Sequence, residues 1–371
     1  MKHIVKKSGV FNMETAEIKV QASTHAYSIV IGEGIRKQTK QYLTKDYSLV
    51  WIITDENVAP LYLSDVLEAC SPLQVHHTVI PAGEQTKSMD YYYQLLTEAI
   101  EHNLDRSSLL IALGGGVIGD LAGFVAATYM RGIDYIQMPT TILAHDSSVG
   151  GKVAINHPLG KNLIGSFYAP QAVIYDVETL FTLNKKEIRS GYAELVKEAL
   201  ISDEAIFYSF LNTDLQALSK ATVQEHIHIG IQIKAHVVET DEKEADMRKY
   251  LNLGHTLGHA LEAQLGYGTL THGEAVAIGL LFAIHVSESV YDNHLPFSEL
   301  KQWLQNNNYP LELHSVDQQA ILAKMKNDKK NKQQSIQMVL LEQIGKPIIK
   351  QITDEDMLYY LSSFERKLVG E

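Results

Sequence analysis

Three histidines are the residues of this chain best suited to chemistry. His255 and His259 are four residues apart, so on a helix they share one face, one turn apart. His272 follows a short distance along the chain. Imidazole is the commonest metal-binding side chain, and a pair at this spacing can hold one divalent ion. The alternative is a helix with two histidines on its polar face, but the third histidine and the flanking glycines favour a metal site.

Glu194 is the candidate acidic ligand. It lies in a segment with helical periodicity, where Lys197 and Glu198 can share its face. A solvated helix with an intrahelical ion pair is the alternative interpretation. A catalytic zinc typically keeps three protein ligands and one open position, which one glutamate and two histidines would supply. From spacing alone, those two histidines would be His255 and His259.

A glycine-rich turn is the second chemical signal. Gly114, Gly115, Gly116 and Gly119 satisfy the pattern G-x-G-x-x-G between a predicted strand and a predicted helix. Such a turn lets backbone approach a pyrophosphate, and the helix N-terminus attracts its charge. A tight structural turn is the alternative, since the motif follows several strands rather than the first. A polar stretch at residues 139–162 is rich in small, hydroxyl and basic residues and is typical of a loop that binds an anion; an ordinary turn-rich connection is the alternative.

Composition restricts the function classes. The chain has 371 residues, 45% of them hydrophobic and 20% charged, with a formal net charge of −12. That balance argues against a general nucleic-acid or anionic-membrane binder, and we expect neither partner. The single cysteine, Cys70, excludes an intramolecular disulfide and favours a reducing compartment, so we expect a cytoplasmic protein. No apolar run is interpreted as long enough to span a bilayer.

The order of elements predicts two domains. Residues 15–184 alternate strands with helices and predict an α/β, Rossmann-like domain with a mostly parallel sheet, whereas residues 185–371 predict a mostly α-helical domain. Residues 1–14 are interpreted as an extension. The predicted strands are 27–31, 49–54, 75–80 and 107–113, and the predicted helices are 60–69, 88–102, 205–218, 222–238, 274–291 and 297–306.

Six segments together resemble one family. From about residue 15 to the C-terminus the chain is similar to the 3-dehydroquinate synthases, which belong to the sugar-phosphate cyclases. The segments that carry the resemblance are GGGVIGDLAGF (114–124), DSSVGGK (146–152), GKNLIG (160–165), AELVK (193–197), LNLGHTLGHA (251–260) and HGEAVA (272–277).

The resemblance implies a homodimer that binds NAD in its N-terminal domain and Zn²⁺ or Co²⁺ in its C-terminal domain, with the active site in the cleft between them. It implies that Glu194, His255 and His272 hold the metal, and that His259 contacts the substrate phosphate instead. Arg131 is expected to reach the phosphate in the partner subunit's site. The paired Lys329 and Lys330 resemble lysines of the family's C-terminal domain.

The remaining implied roles divide between cofactor and substrate. The expected NAD contacts are Asp55, Asn57, Glu84, Lys87, Gly115, Gly116, Asp120, Thr140, Thr141, Lys152, Lys161 and Thr182. The expected substrate contacts are Asp146, Lys152, Lys161, Asn162, Lys197, Lys234, Arg248, Asn252 and His259.

The reaction that the resemblance implies belongs to the shikimate pathway of aromatic amino acid biosynthesis. It converts 3-deoxy-D-arabino-heptulosonate 7-phosphate to 3-dehydroquinate and phosphate through transient oxidation by NAD, β-elimination of phosphate, re-reduction and intramolecular aldol closure. Two other enzyme classes stay open: a related cyclase acting on another phosphorylated sugar, and a metal-dependent polyol dehydrogenase. A non-catalytic binding protein is disfavoured, because the candidate metal and anion residues are all present.

Overall fold

The structure, a computed structural model, describes residues 15–244, 246–266, 268–312, 317–326 and 335–369. Its strands are β1 (Ala16–Gln21), β2 (Ala26–Gly32), β3 (Val50–Asp55), β4 (Val75–Ile80), β5 (Leu109–Gly114), β6 (Asp134–Pro139), β7 (Lys152–His157), β8 (Gly160–Phe167), β9 (Ala172–Asp176), β10 (Ile336–Gln343) and β11 (Lys346–Ile352). Its α-helices are α1 (Ser64–Ala69), α2 (Met89–Glu101), α3 (Gly116–Thr128), α4 (Ala144–Ser147), α5 (Lys185–Ser202), α6 (Glu204–Leu211), α7 (Lys220–Thr240), α8 (His255–Leu265), α9 (His272–Tyr291), α10 (Phe297–Asn306), α11 (Gln318–Lys326) and α12 (Asp354–Val369).

The described residues form two compact units. The sheet unit comprises the chain up to Leu183 together with Lys220–Lys243, and the helical unit comprises Asn184–Ser219 and the chain from Glu244 onward. Helix α7 therefore belongs to the sheet unit, although it lies in the sequence range predicted for the helical domain. It packs there against β1, β2 and α4.

The sheet unit is built on seven strands in the order β1-β2-β9-β6-β5-β3-β4. All neighbouring pairs are parallel except β1 with β2. The strands β3 and β5, each paired on both sides, are almost wholly buried, as continuous apolar runs between layers of helices should be. The α/β class with a mostly parallel sheet is confirmed, and β4 has the predicted bounds.

Two regions differ from the sequence interpretation. The polar stretch 139–162, predicted as a loop, contains the one-turn helix α4 and the start of the antiparallel hairpin β7–β8. The side chains of β8 are partly or fully exposed, so it lacks the apolar alternation by which a strand is recognised. The helical unit is mostly α-helical, as predicted, but it also contains the hairpin β10–β11.

Helix α9 is the central helix of the helical unit. By length and composition it could cross a membrane, so the interpretation that no apolar run is long enough was wrong on length. However, 83% of its apolar window is buried inside the protein. Two of its glycines allow very close backbone approach. A Cβ on Gly279 would lie 1.9 Å from the carbonyl oxygen of Gly254, and one on Gly273 would lie 1.9 Å from that of Ser190. These contacts hold the beginnings of α8 and α9 and the body of α5 together.

We predict that Gly279→Ala lowers the free energy of unfolding by about 1–3 kcal/mol, because the added methyl must push α9 away from the turn before α8. Urea denaturation followed by circular dichroism measures the change. Ser289→Ala is the matched control on the same helix: its exposed hydroxyl donates only to the His285 carbonyl, and we expect little change. An unaltered denaturation midpoint for Gly279→Ala would contradict the close packing.

Candidate functional site

The helical unit brings one carboxylate and two imidazoles to a single point. Glu194 lies in the buried middle of α5, whereas His255 and His272 are the first residues of α8 and α9. The Nε2 atom of His255 lies 3.4 Å from Oε1 of Glu194, and Nε2 of His272 lies 3.3 Å from the same oxygen. Ligands about 2.0 Å from a tetrahedral zinc lie about 3.3 Å from one another. The spacing therefore fits three ligands of one metal ion.

The other ring nitrogens have partners that turn both Nε2 atoms toward Glu194. Nδ1 of His255 lies 3.1 Å from the carbonyl oxygen of Leu253, to which it can donate. Nδ1 of His272 lies 2.9 Å from the carboxylate of Glu262. Hydrogen bonds of this kind fix the tautomer and orientation of metal-bound histidines. The donor set and its supporting shell both fit a divalent ion such as Zn²⁺ or Co²⁺.

His259 is the fourth side chain at this point. Its ring centroid lies 5.2 Å from that of His255 and 5.7 Å from that of His272, and the three histidines offer nitrogen atoms within 4.8 Å of one another. Unlike the other two, His259 is solvent-exposed. The four-residue spacing of His255 and His259 thus does place their rings together. The two histidines that contact Glu194, however, are His255 and His272.

The two candidate histidine ligands differ in their tendency to carry a positive charge. Burial lowers the pKa of His255 well below its usual value, and the positive charge of Lys197 acts in the same direction. Burial also acts to lower the pKa of His272, but its hydrogen bonds with Glu194 and Glu262 outweigh that effect and raise the pKa to about 10. Two carboxylates at one imidazole call for a proton or a metal cation. The ammonium of Lys197, fully buried, pairs with Oε2 of Glu194, the oxygen that does not face the histidines.

A capping box sets the position of the N-terminus of α9. The hydroxyl of Thr271 accepts from the backbone of Glu274, whose carboxylate accepts from the backbone of Thr271 at 2.9 Å. The same carboxylate pairs with the guanidinium of Arg189 at 2.5 Å, and the Gly273 backbone donates to the Ser190 hydroxyl at 3.0 Å. Sequence reasoning missed these supporting residues, although Thr-x-x-Glu before an apolar run is a recognisable capping signal.

The other predicted residues of the helical unit lie near the start of α8. Arg248 is almost fully buried in the 3₁₀ segment Met247–Asn252. The Asn252 amide donates to the Glu244 carboxylate at 3.1 Å and to the carbonyl of Lys249 at 3.0 Å. Lys329 and Lys330 lie outside the described residues.

In the sheet unit, the glycine-rich turn joins the carboxyl end of β5 to the N-terminus of α3. Gly115 is the N-cap residue and has no side chain to cap the helix. The Thr140 backbone, at the end of β6, donates to the carbonyl of Gly114 at 3.0 Å. A Cβ on Gly115 would lie 3.1 Å from Thr141 Cγ2, so a larger residue would crowd the turn. Bare N–H groups at a helix N-terminus suit a phosphate, so the turn fits the pyrophosphate of NAD.

Lys87 connects two further predicted residues. Its buried ammonium pairs with the carboxylate of Asp120 in α3 and donates to the side-chain oxygen of Asn162 in β8 at 2.5 Å. Burial raises the pKa of Asp120, while the charge of Lys87 opposes that rise. The turn before α2, helix α3 and the hairpin β7–β8 therefore meet at one ammonium group.

The predicted residues Asp55, Asn57 and Thr182 make local contacts elsewhere in the sheet unit. Asp55 ends β3, and its carboxylate accepts from the backbone of Asn57 at 2.9 Å. The hydroxyls of Thr182 and Tyr62 lie 2.6 Å apart.

A second lysine–aspartate contact lies on α7. The ammonium of Lys234 lies 3.0 Å from the carboxylate of Asp146 in α4. Lys152 begins β7, Lys161 lies in β8, and Glu84 begins the 3₁₀ turn Glu84–Thr86.

Arg131 lies away from the glycine-rich turn. It is exposed and ends the 3₁₀ segment Tyr129–Arg131 after the C-terminus of α3, whereas Gly116 begins that helix. Thirteen helical residues span about 20 Å. Arg131 and its neighbour Met130 both have left-handed backbone, with φ of 68° and 49°.

A solved structure shares this fold over nearly the whole chain. It is 2-deoxy-scyllo-inosose synthase complexed with carbaglucose-6-phosphate, NAD⁺ and Co²⁺, with a TM-score of 0.84 and 26% sequence identity, covering 94% of this chain and 100% of that one. The fold is thus that of the sugar-phosphate cyclases.

Sequence comparison narrows the class. Residues 77–190 match the 3-dehydroquinate synthase N-terminal family model, and residues 191–331 match the C-terminal one. The 3-dehydroquinate synthase of Oceanobacillus iheyensis is 54% identical, over 95% of this chain and 99% of its own length. That of Halalkalibacterium halodurans is 50% identical, over 94% and 98%. The chain belongs to the 3-dehydroquinate synthase family.

We predict that metal binding to chelator-treated protein releases about one proton at pH 8, because a metal ligand must be a neutral imidazole and the pKa of His272 is about 10. His255, whose pKa is lowered, adds no proton in this range. Apparent affinity should rise about tenfold per pH unit between pH 7 and 9. Calorimetry in two buffers of different ionisation enthalpy measures the release.

The control for this measurement is Glu262→Gln, which removes one carboxylate from His272 and should reduce the number of protons released. Metal binding at pH 8 without proton release would contradict the charge assigned to His272.

Proposed function

We infer that this chain catalyses the reaction of its family, the conversion of 3-deoxy-D-arabino-heptulosonate 7-phosphate to 3-dehydroquinate and phosphate. The observation that carries the inference is the convergence of Glu194, His255 and His272 at metal-ligand spacing, in a chain aligned with 3-dehydroquinate synthases over nearly its full length. A carboxylate buried between two imidazoles and an ammonium is costly unless it is compensated, and a bound divalent cation would compensate it.

Metal binding is assigned to the three side chains of the helical unit. Glu194 would bind through Oε1 while Lys197 neutralises Oε2, and His255 and His272 would bind through Nε2. When bound, Zn²⁺ or Co²⁺ supplies Lewis acidity at the substrate hydroxyls, and NAD supplies reversible hydride acceptance. The 26%-identical cyclase structure contains both NAD⁺ and Co²⁺, which supports this pair of cofactors.

Substrate recognition in the helical unit is assigned to cationic and amide groups around the metal centre. The guanidinium of Arg248 is buried and planar, which suits bidentate binding of the substrate carboxylate. His259, exposed beside the metal ligands, suits the phosphate. Lys197 and Asn252 complete the set in this unit.

The sheet unit is proposed to bind NAD and further substrate groups. The glycine turn at Gly115 and Gly116 would receive the pyrophosphate. The other proposed NAD contacts are Asp55, Asn57, Glu84, Lys87, Asp120, Thr140, Thr141, Lys152, Lys161 and Thr182. The proposed substrate contacts of this unit are Asp146, Lys152, Lys161, Asn162 and Lys234. Their charges match an anionic substrate even though the whole chain is acidic.

We also propose a homodimer in which Arg131 serves the partner subunit's site. Support comes from the position of Arg131, exposed at the far end of α3 from the glycine turn. Consecutive left-handed residues cost about 1–3 kcal/mol each and tend to occur where function requires them. We place the enzyme in the cytoplasm, consistent with its single buried cysteine.

The direct test is phosphate release from 3-deoxy-D-arabino-heptulosonate 7-phosphate with catalytic NAD, while absorbance at 340 nm is followed. We expect many phosphates per NAD, no accumulation of NADH, and loss of activity with a chelator or in His272→Ala. Release only from another phosphorylated sugar would favour a different cyclase. Steady NADH accumulation with a polyol would favour a dehydrogenase.

Subunit mixing tests the placement of Arg131. Arg131→Ala and His272→Ala subunits, each inactive alone, are co-expressed with different tags and the heterodimer is purified. If Arg131 acts across the interface, one site of each heterodimer is intact, and about half of the wild-type activity returns. An inactive heterodimer would show that Arg131 acts within its own subunit, and a monomer in sedimentation would exclude the dimer.

A further inference from the structure

The hairpin β7–β8 contains an irregularity at residues proposed to bind ligands. Ile155 pairs with Ile164, and His157 pairs with Gly160, so two steps along β7 correspond to four along β8. Lys161 and Asn162 therefore lie in a bulge of β8. Bulges interrupt the hydrogen-bonded ladder and redirect side chains, and they are frequent beside active sites.

Asn156 is the residue of β7 opposite this bulge, and it makes one hydrogen bond to the bulge and two to residues 84–87. Its backbone N–H donates to the carbonyl of Lys87 at 2.8 Å. Its side-chain oxygen accepts from the backbone N–H of Asn162 at 2.9 Å, and its side-chain nitrogen donates to the carboxylate of Glu84 at 2.7 Å. One side chain thus replaces a ladder partner for the bulge and also connects it to the Glu84–Thr86 turn.

The bulge requires such support because its backbone is unfavourable. Asn162 has a left-handed φ of 55°, which asparagine tolerates better than most residues but which still needs surrounding contacts to persist. Lys87 holds the side chain of Asn162, whereas Asn156 holds its backbone. The two contacts together define where Asn162 and the preceding Lys161 lie.

We propose that Asn156 is a positioning residue that couples the NAD-binding turn at Glu84 and Lys87 to the substrate-binding bulge at Lys161 and Asn162. The proposal rests on the function proposed above, which assigns those four residues to NAD and substrate. Asn156 is assigned to neither ligand and is proposed to act through these four residues. Its loss removes the bonds to the Asn162 backbone and to Glu84 and leaves the Lys87–Asn162 contact, so the turn and the bulge are held less firmly and affinity for both ligands falls together.

The test compares Asn156→Ala with wild-type holoenzyme by two measurements, steady-state kinetics and direct titration with NAD. We expect KM for the sugar phosphate and Kd for NAD each to rise about tenfold, the effect of losing one or two hydrogen bonds. We expect kcat to change by less than about threefold and Tm by only a few degrees. Leu159→Ser, at the exposed tip of the same hairpin, is the matched control and should leave all four quantities unchanged.

Polarity variants separate positioning from general stability. Asn156→Asp keeps the acceptor for the Asn162 backbone but sets a carboxylate against Glu84, so NAD affinity should fall. Combining it with Glu84→Gln returns a donor to that contact, and the double variant should bind NAD more tightly than Asn156→Asp alone. Absence of this rescue, measured against Glu84→Gln alone in a double-mutant cycle, would count against the coupling.

The outcomes are distinct from those of the proposed function. A lower Tm with unchanged KM and Kd in Asn156→Ala would make the residue merely structural and overturn the proposal. If the wild-type enzyme released no phosphate from the expected substrate, the proposed function would fail. The NAD titrations of the variants would still decide the role of Asn156.

Discussion

The buried carboxylate of Glu194 is the constraint on which the helical unit depends. A charge in that position is unfavourable unless other charges compensate it, and Lys197 on one side and two imidazoles on the other do so. The compensating groups come from three helices, so α5, α8 and α9 must meet closely. Glycines at 254, 273 and 279 allow that approach, and a capping box with Arg189 holds the start of α9. Packing and electrostatics therefore support the same arrangement.

In the sheet unit, polar candidate residues lie at the ends of buried, apolar strands. Parallel strands place their carboxyl ends along one edge. Asp55 ends β3 there, the glycine-rich turn lies at the end of β5, and Thr140 follows β6. Two further groups of polar residues lie in irregular segments that side-chain hydrogen bonds hold in place. The Glu84–Thr86 turn and the bulge of β8 are held by Lys87 and Asn156 rather than by a ladder.

The sequence predicted the elements that are buried on both faces, but it did not predict contacts between residues that lie far apart in the chain. Strands β3 and β5 were predictable because residues buried on both faces form continuous apolar runs. Spacing identified His255 and His259 as neighbours, but no spacing rule joins Glu194 to His272; the family resemblance made that link. Glu262 and Asn156 went unnoticed because their roles depend on hydrogen bonds that cross between elements. The hairpin β7–β8 was taken for a loop because its exposed strand β8 has no apolar face.

The membership of α7 in the sheet unit has a consequence for how the chain is made. The sheet unit recruits α7 after the chain has already passed through α5 and α6 of the helical unit. During synthesis, β1, β2 and α4 emerge long before α7, which packs against them. The surface that α7 covers therefore stays exposed until about two-thirds of the chain has left the ribosome. The sheet unit is therefore completed late, through contacts between α7 and elements far from it in the sequence. A fragment ending at Leu183 would lack α7 and the buried surface that it provides.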